Sequence, residues 1–373
     1  MGQARVSDIA RELGISKASV SLALNNKPGV SKSTREAILA CKKRLEDNLY
    51  LPSNGAPLSS GNRRQVNILM ASRGMHNIQG SELDLWTDVR MVLDRDFREQ
   101  GIFLGLVYLD PRNNKEIQET IEACASDDIV GVILMGTELL KGDLARFQGI
   151  RKPMVVYDCS SSFLRNADLP RPYSFICINN RQAVHLALHE LFQKGNRDIQ
   201  YLGMDLPMYN YESRKHAFVE EWQEMGFSED DAKSRVIRCS DSIDGSYRFV
   251  QEYIKHHDLP EAFIAESYHL SIGAVRALNE AGVRIPKDVS LVGIDKIPDY
   301  LTGGQNLTCV RIPHTERARW AAKALLHEMQ NPEADRIQIY VDCQLIPGNT
   351  VAVRTGGKTE AATDAAAESE ISS

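Results

Sequence analysis

Val6-Ser7-Asp8-Ile9-Ala10-Arg11-Glu12-Leu13-Gly14-Ile15-Ser16-Lys17-Ala18-Ser19-Val20-Ser21-Leu22-Ala23-Leu24-Asn25 reads as two short helices joined by a tight turn. Ile9, Leu13, Ile15, Val20 and Leu24 recur at the spacing that lets two helices share an apolar seam. Gly14 stands where the first helix must stop and the chain must turn. Ser16 offers an N-cap for the second helix. That helix begins Lys17-Ala18-Ser19, short or basic side chains that fit a major groove. Helical hairpins with a glycine turn are common, so the pattern alone leaves an ordinary hairpin open. The continuation Val30-Ser31-Lys32-Ser33-Thr34-Arg35-Glu36 opens a third helix with hydroxyls and bases at its N-terminus, which suits a phosphate.

The charge distribution agrees. Residues 1–50 hold nine Lys/Arg against five Asp/Glu, a net of +4. The whole chain has 44 against 50, net −6, so the other 323 residues carry 35 against 45, net −10. A basic head on an acidic body places nucleic-acid contact at one end, because the acidic body repels phosphates.

At 373 residues, with 43% hydrophobic and 25% charged residues, the chain is a multidomain globular protein. It has no run of 18 apolar residues and no apolar signal core at the N-terminus, so no membrane partner is expected. Cys41, Cys124, Cys159, Cys177, Cys239, Cys309 and Cys343 are odd in number and lack a Cys-x-x-Cys pair. They read as buried, reduced thiols of a cytoplasmic protein, not as a disulfide or zinc framework.

Residues 1–50 form the head, and Leu51-Pro52-Ser53-Asn54-Gly55-Ala56-Pro57-Leu58-Ser59-Ser60-Gly61-Asn62 lies in a linker over 51–64. The body spans 65–355, and residues 356–373, rich in Ala, Glu, Thr and Ser, read as a disordered tail. Within the body, near-continuous apolar strands such as Val130 to Met135, Pro153 to Asp158 and Val289 to Asp295 alternate with helices. That pattern predicts an α/β fold of parallel sheets covered on both faces. About 290 residues exceed one ordinary core, so two sheets are expected.

Enzyme and metal motifs do not hold up, and neither catalytic residues nor a cofactor are expected. His185 and His189 stand i, i+4 on a predicted helix, but the sequence offers no third ligand, so they read as a helix-face pair. His256-His257 reads as a solvated helix end. There is neither a Gly-x-x-x-x-Gly-Lys phosphate loop nor a Gly-x-Ser-x-Gly elbow.

With these residues in view, the chain resembles the lac repressor (LacI/GalR) family of bacterial transcription regulators over nearly its whole length. The head carries the likeness through Val6-Ser7-Asp8-Ile9-Ala10, Gly14-Ile15-Ser16, Ser19-Val20-Ser21, Leu24-Asn25, Val30-Ser31 and Thr34-Arg35. The body carries it through Tyr211-Glu212-Ser213-Arg214, Ala217-Phe218, Val289 to Asp295 and Leu307-Thr308-Cys309-Val310. The resemblance implies a homodimer that binds double-stranded operator DNA. It also implies a two-lobed effector domain like a periplasmic sugar-binding protein, holding a small molecule, a sugar or its derivative, between the lobes. Lobe one is expected over 65–176 and 311–332 and lobe two over 177–310 and 333–355, with crossings near Ile176, Val310 and Glu333.

By that resemblance Lys17 and Ala18 take the main base-reading positions. Lysine donates to guanine O6/N7 and alanine packs on a thymine methyl. Ser7, Ser16, Ser21, Asn25, Ser31, Lys32 and Thr34 are candidates for phosphate contact, the serines being equally suited to capping helices. Leu22 stands where the family often has Arg, which removes one common base contact.

Asp158 and Asp295 each end an apolar strand, and ligands in open α/β sheets bind beyond the carboxyl ends of strands. Arg214 is expected at the start of a helix from Arg214 to Met225, below the aromatic-rich loop Tyr209-Asn210-Tyr211. Carboxylates and a guanidinium can each engage vicinal hydroxyls through two atoms in one plane. Met75, Trp86, Ile176 and Tyr268 are expected as walls, Trp86 equally as core. Ser267-Tyr268 replaces the family's usual Asn-Asp, and Asn179-Asn180 its common Asp-Asn, removing acceptors from the cleft.

In the family the linker forms a hinge helix on DNA. Here Gly55 and Pro57 fall inside it, so a poorly formed helix is expected, with Leu58 as the residue that wedges into the minor groove. Two other readings stay open. One is a regulator of the same class controlled by a protein or phosphorylated co-repressor. The other, against which the head argues, is a solute-binding protein or enzyme on the two-lobed fold.

Overall fold

The computed structural model describes residues 9–354 apart from 11–12, 25–26, 28, 32–33, 40, 43–63, 75–81, 165–168, 170 and 241. The readings placed on Ser7, Asn25, Lys32, Leu58 and Met75, on the hinge and on the tail lie outside these residues.

In the head, helix α1 spans Lys17–Leu24, and residues 34–39 are helical. Ile9, Ala10, Leu13, Val20, Ala23, Ile38 and Cys41 are buried together as one small core. Gly14 adopts φ +60°, which allows the reversal between the helices at no side-chain cost.

The body contains two six-stranded sheets. The strands are β1 Gln65–Ala71, β2 Phe103–Leu109, β3 Ile129–Met135, β4 Met154–Tyr157, β5 Ser174–Ile178, β6 Ile199–Met204, β7 Val236–Cys239, β8 Ala262–Ala265, β9 Ser290–Ile294, β10 Thr308–Arg311, β11 Gln338–Val341 and β12 Gln344–Ile346. Sheet one has the order β11-β5-β4-β3-β1-β2 and sheet two β12-β10-β9-β8-β6-β7. All pairings are parallel except β10 with β12. The central strands are Val/Ile/Leu runs because helices cover both their faces.

The covering helices that frame the cleft and its supports are α2 Glu82–Arg98, α3 Asn114–Cys124, α4 Asn180–Gln193, α5 Tyr209–Glu224, α6 Ile243–His256, α7 Tyr268–Glu280 and α8 His314–Gln330. On sheet one, α2 and α8 share a core with Val66, Ile133 and Val155, while α3 packs on the other face with Leu69 and Leu134. On sheet two, α4 and α5 share one core and α6 and α7 the other. Side-chain caps fix several helix starts. Asn113, Asn179, Ser242 and Ser267 each accept a backbone N–H from the first turn of the helix that follows, each worth roughly 0.5–2 kcal/mol.

The chain crosses between sheets after β5, after β10 and after β11. The third crossing lies between Val341 and Gln344, later than the expected Glu333. Gln338–Val341 adds an edge strand to sheet one before the chain leaves it. Its alternation of exposed and half-buried residues carries too weak an apolar signal to betray a strand. All seven cysteines are buried free thiols. No helix among the described residues is long and apolar enough to cross a membrane.

Candidate functional site

Two surfaces carry the residues singled out from the sequence: the exposed start of α1 and the cleft between the lobes. At the first, the Ser16 hydroxyl accepts the Ser19 N–H at 3.0 Å, capping α1. Lys17, Ala18 and Ser21 are exposed. The Ser31 hydroxyl accepts the Thr34 N–H at 3.1 Å, capping the following helix. Arg35 donates to the carbonyls of Ala23, at 2.8 Å, and Lys27, at 2.6 Å, fixing that helix against the end of α1. A guanidinium placed there also offsets the negative end of the helix dipole. Ser16 and Ser31 are therefore caps, their hydroxyls partly committed within the head.

The cleft encloses a cavity of about 120 Å³ lined from both lobes. Asp158, Arg214, Ser267, Tyr268, Asp295 and Trp86 all line it. Trp86 also packs against the core beside Tyr157, ring centroids 6.2 Å apart. Ile176 does not line the cavity. It lies fully buried within β5, and Ile178, two residues on at the strand's carboxyl end, forms the wall instead.

Asp158 follows β4 and Asp295 follows β9, each with a positive φ, +69° and +88°. They are the only non-glycine residues with positive φ among the described residues. Aspartate tolerates this region better than most side chains, and such outliers gather at functional sites. Each N–H donates to the neighbouring strand, Asp158 to Ile176 and Asp295 to Val310.

The partners of both aspartates come from the start of α8. Arg317 pairs with Asp158, both buried, and its guanidinium lies 4.6 Å from the Tyr157 ring centroid. Thr137 donates its hydroxyl to Asp158 at 2.8 Å. His314 Nε2 lies 3.0 Å from Asp295 Oδ2. An ionised carboxylate only accepts, so the imidazole donates. Burial pushes the Asp295 carboxyl up, but His314, the Lys296 N–H and Arg214 together outweigh it and hold it below the usual range. Arg317 Nε and Nη1 are buried without a hydrogen-bond partner, a costly state that a ligand acceptor relieves.

From lobe two, Arg214 donates Nε to Asn180 at 2.9 Å and Nη1 to the Glu266 carbonyl at 2.9 Å. Asn180 donates in turn to Asn210 at 2.9 Å. Behind this network Glu266 is fully buried, accepting from the Met204 N–H and the Tyr201 hydroxyl. Burial, opposed by Arg214, pushes its carboxyl up to about 8. Ser267 serves first as the α7 cap, accepting the Leu270 N–H.

The sequence reading named none of His314, Arg317 and Asn210 for the cleft, and Asn180 only as a departure from the family pattern. The signal for the first two was present. Ala318, Ala321, Ala322 and Leu325 mark the buried face of α8, and helical spacing puts positions 314 and 317 on that face. Elsewhere, Glu221 of α5 lies beside the helix-face pair on α4: His185 Nδ1 at 2.7 Å and His189 Nε2 at 4.0 Å from its Oε2.

Residues 5–51 match bacterial regulatory proteins of the lacI family, and residues 188–351 match a periplasmic binding protein-like domain. The HTH-type transcriptional regulator YvdE of Bacillus subtilis, itself uncharacterised, is 26% identical over 347 residues, covering 92% of this chain and 98% of that protein. The HTH-type transcriptional repressor PurR of Klebsiella pneumoniae is 23% identical, covering 94% and 97%. Among solved structures, a complex of the transcriptional regulator CelR with cellobiose aligns with TM-score 0.63 at 21% identity, covering 93% of this chain and all of that one. The lac repressor dimer bound to operator and the anti-inducer ONPF aligns with TM-score 0.64 at 16% identity, covering 94% and 100%. At these identities the solved structures establish the fold.

Proposed function

Because the chain belongs to the lac repressor family of bacterial transcription regulators, we propose that it represses transcription from a near-palindromic operator as a homodimer and responds to a small molecule held between its lobes. Its curated relatives are transcriptional regulators, so it is a DNA-binding regulator and not an enzyme. The observation that carries the ligand reading is the cavity walled by Asp158 and Arg317 from lobe one and by Arg214, Tyr268 and Asp295 from lobe two. A ligand touching both lobes favours one lobe arrangement by its differential affinity, which is what control of the heads requires.

The effector in this reading is a sugar or sugar derivative. The aspartates and guanidiniums address paired hydroxyls, while Trp86 and Tyr268 offer aromatic walls. One structural neighbour is described as a cellobiose complex. Dimerisation draws support from Phe103, Leu106 and Tyr108 on the edge strand β2 and Met91 on α2, all exposed apolar residues of lobe one. Lys17 and Ala18 read bases, while Ser16, Ser21, Ser31 and Thr34 meet phosphates.

The test is a thermal-shift screen of the full chain against sugars, sugar phosphates and purines. Any hit is followed by calorimetry on Arg214→Ala and Asp295→Ala. A specific ligand at 100 times its dissociation constant adds roughly 2.7 kcal/mol of apparent stability. Loss of that response in both variants supports the cleft. Unchanged affinity in both places the ligand elsewhere.

A further inference from the structure

Two imidazoles and one carboxylate meet on the face of lobe two, away from the residues that line the cleft. His185 and His189 lie one turn apart on α4, their ring centroids 3.9 Å apart. Glu221 reaches them from α5 and is buried, while both imidazoles are half-buried and open to solvent. One ligand atom from each of the three residues lies within 4.8 Å of the others. From this geometry we propose that His185, His189 and Glu221 bind a divalent first-row transition ion of the zinc type, which ties α4 to α5.

The donor set suits that class. Imidazole nitrogen and carboxylate oxygen ligate zinc at roughly 2.0–2.2 Å, and tetrahedral angles then place donor atoms roughly 3.3–3.6 Å apart, so small side-chain rotations bring the three onto one ion. Glu221 Oε2 already lies 2.7 Å from His185 Nδ1 and 4.0 Å from His189 Nε2. The second separation is too long for a hydrogen bond and leaves room for an ion between the His189 imidazole and the carboxylate. The remaining coordination positions fall to water on the open side.

The surroundings complete the site. Arg181 donates Nε to the other oxygen of Glu221 at 3.0 Å, which fixes the carboxylate's orientation as outer-shell partners of metal ligands do. Arg181 also pairs with Glu224. Two carboxylates against one guanidinium leave a net negative charge to receive a dication. The ion acts on a relevant pair of helices, because α4 carries Asn180 and α5 carries Asn210 and Arg214, the lobe-two network of the cleft. Closing the α4–α5 contact stiffens that network from behind.

The experiment is a titration of the untagged, chelator-treated full chain with ZnCl₂ by calorimetry, repeated on His189→Ala and Glu221→Gln. His189 is a partly exposed surface residue, so its variant folds even if the Glu221 variant does not. One zinc per chain, weakened at least ~10-fold in His189→Ala, is the expected result, since even outer-shell changes cost 10–100-fold. The Co²⁺ form should show a visible spectrum without thiolate-to-metal charge transfer. No zinc binding by the wild-type chain, equal affinity in His189→Ala, or a thiolate band that assigns the ion to cysteine overturns the proposal.

Discussion

Asp158 and Asp295 occupy equivalent positions in the two lobes: each follows the third strand from one end of its sheet, each has a positive φ, and each takes its partner from the first turn of α8. His314 and Arg317 stand three residues apart on that helix, so one helical turn holds both aspartates. The contact of His314 with Asp295 joins lobe one to lobe two, and that of Arg317 with Asp158 stays within lobe one. Relative movement of the lobes therefore alters the first pair and spares the second.

It follows that His314→Ala should change the response to effector more than stability. The variant removes the 3.0 Å contact across the cleft and leaves operator binding in place. Effector affinity, measured by calorimetry, should fall by an amount typical of one lost hydrogen bond to a charged group, about 1.5–3 kcal/mol. An unchanged affinity would separate this contact from ligand control.

Arg317→Leu should do the opposite. It strands Asp158 as a buried, unpaired charge, a change that costs about 3–5 kcal/mol. Arg317→Leu combined with Asp158→Asn should recover much of that loss. Denaturant unfolding of the two single variants and the double variant measures the coupling. Simple additivity would show that the ion pair contributes nothing to the fold.

Glu266 sets a pH dependence whose direction follows from its burial. The folded carboxyl titrates near 8 against an ordinary value of 4.5, so between these the folded chain holds a proton that the unfolded chain lacks. Stability from this group is complete below the ordinary value and declines as pH rises through about 8. Thermal melts of Glu266→Gln should lose this decline, so that the variant gains on wild type as pH rises. Parallel curves across that window would show that Glu266 is ionised in the folded chain.

In the head, Lys17→Ala should lose discrimination at one base pair per half-site, about 1–3 kcal/mol, while Lys32→Ala should weaken all sequences alike and reduce the salt slope. A binding-site selection and a salt titration separate the two roles. An unchanged base preference in Lys17→Ala would move base reading to another residue.

Much of this was legible in the sequence because it depends on local pattern. The strand ending at Asp158, the strand ending at Asp295 and the Gly14 turn are each written within a few residues. What remained hidden depends on pairing over distance. Arg317 lies 159 residues from Asp158; the apolar face of α8 marks its side chain as inward, but nothing near either residue signals that the two pair. Ile176 was expected as a wall, yet the apolar strand continues to Ile178 at its carboxyl end, and that residue lines the cavity. The β11 strand escaped notice because half its residues face solvent. Glu221 escaped as a neighbour of His185 because only the packing of α4 on α5 brings them together.

Operator recognition by a homodimer is tested most sharply by selecting binding sites from a random duplex library with the full chain, then measuring affinity for the enriched sequence over a range of salt. The expected outcome is a near-palindromic site with two half-sites related by a two-fold axis, and affinity that falls steeply as salt rises. Enrichment of no sequence, or of a single half-site with affinity indifferent to salt, would contradict it.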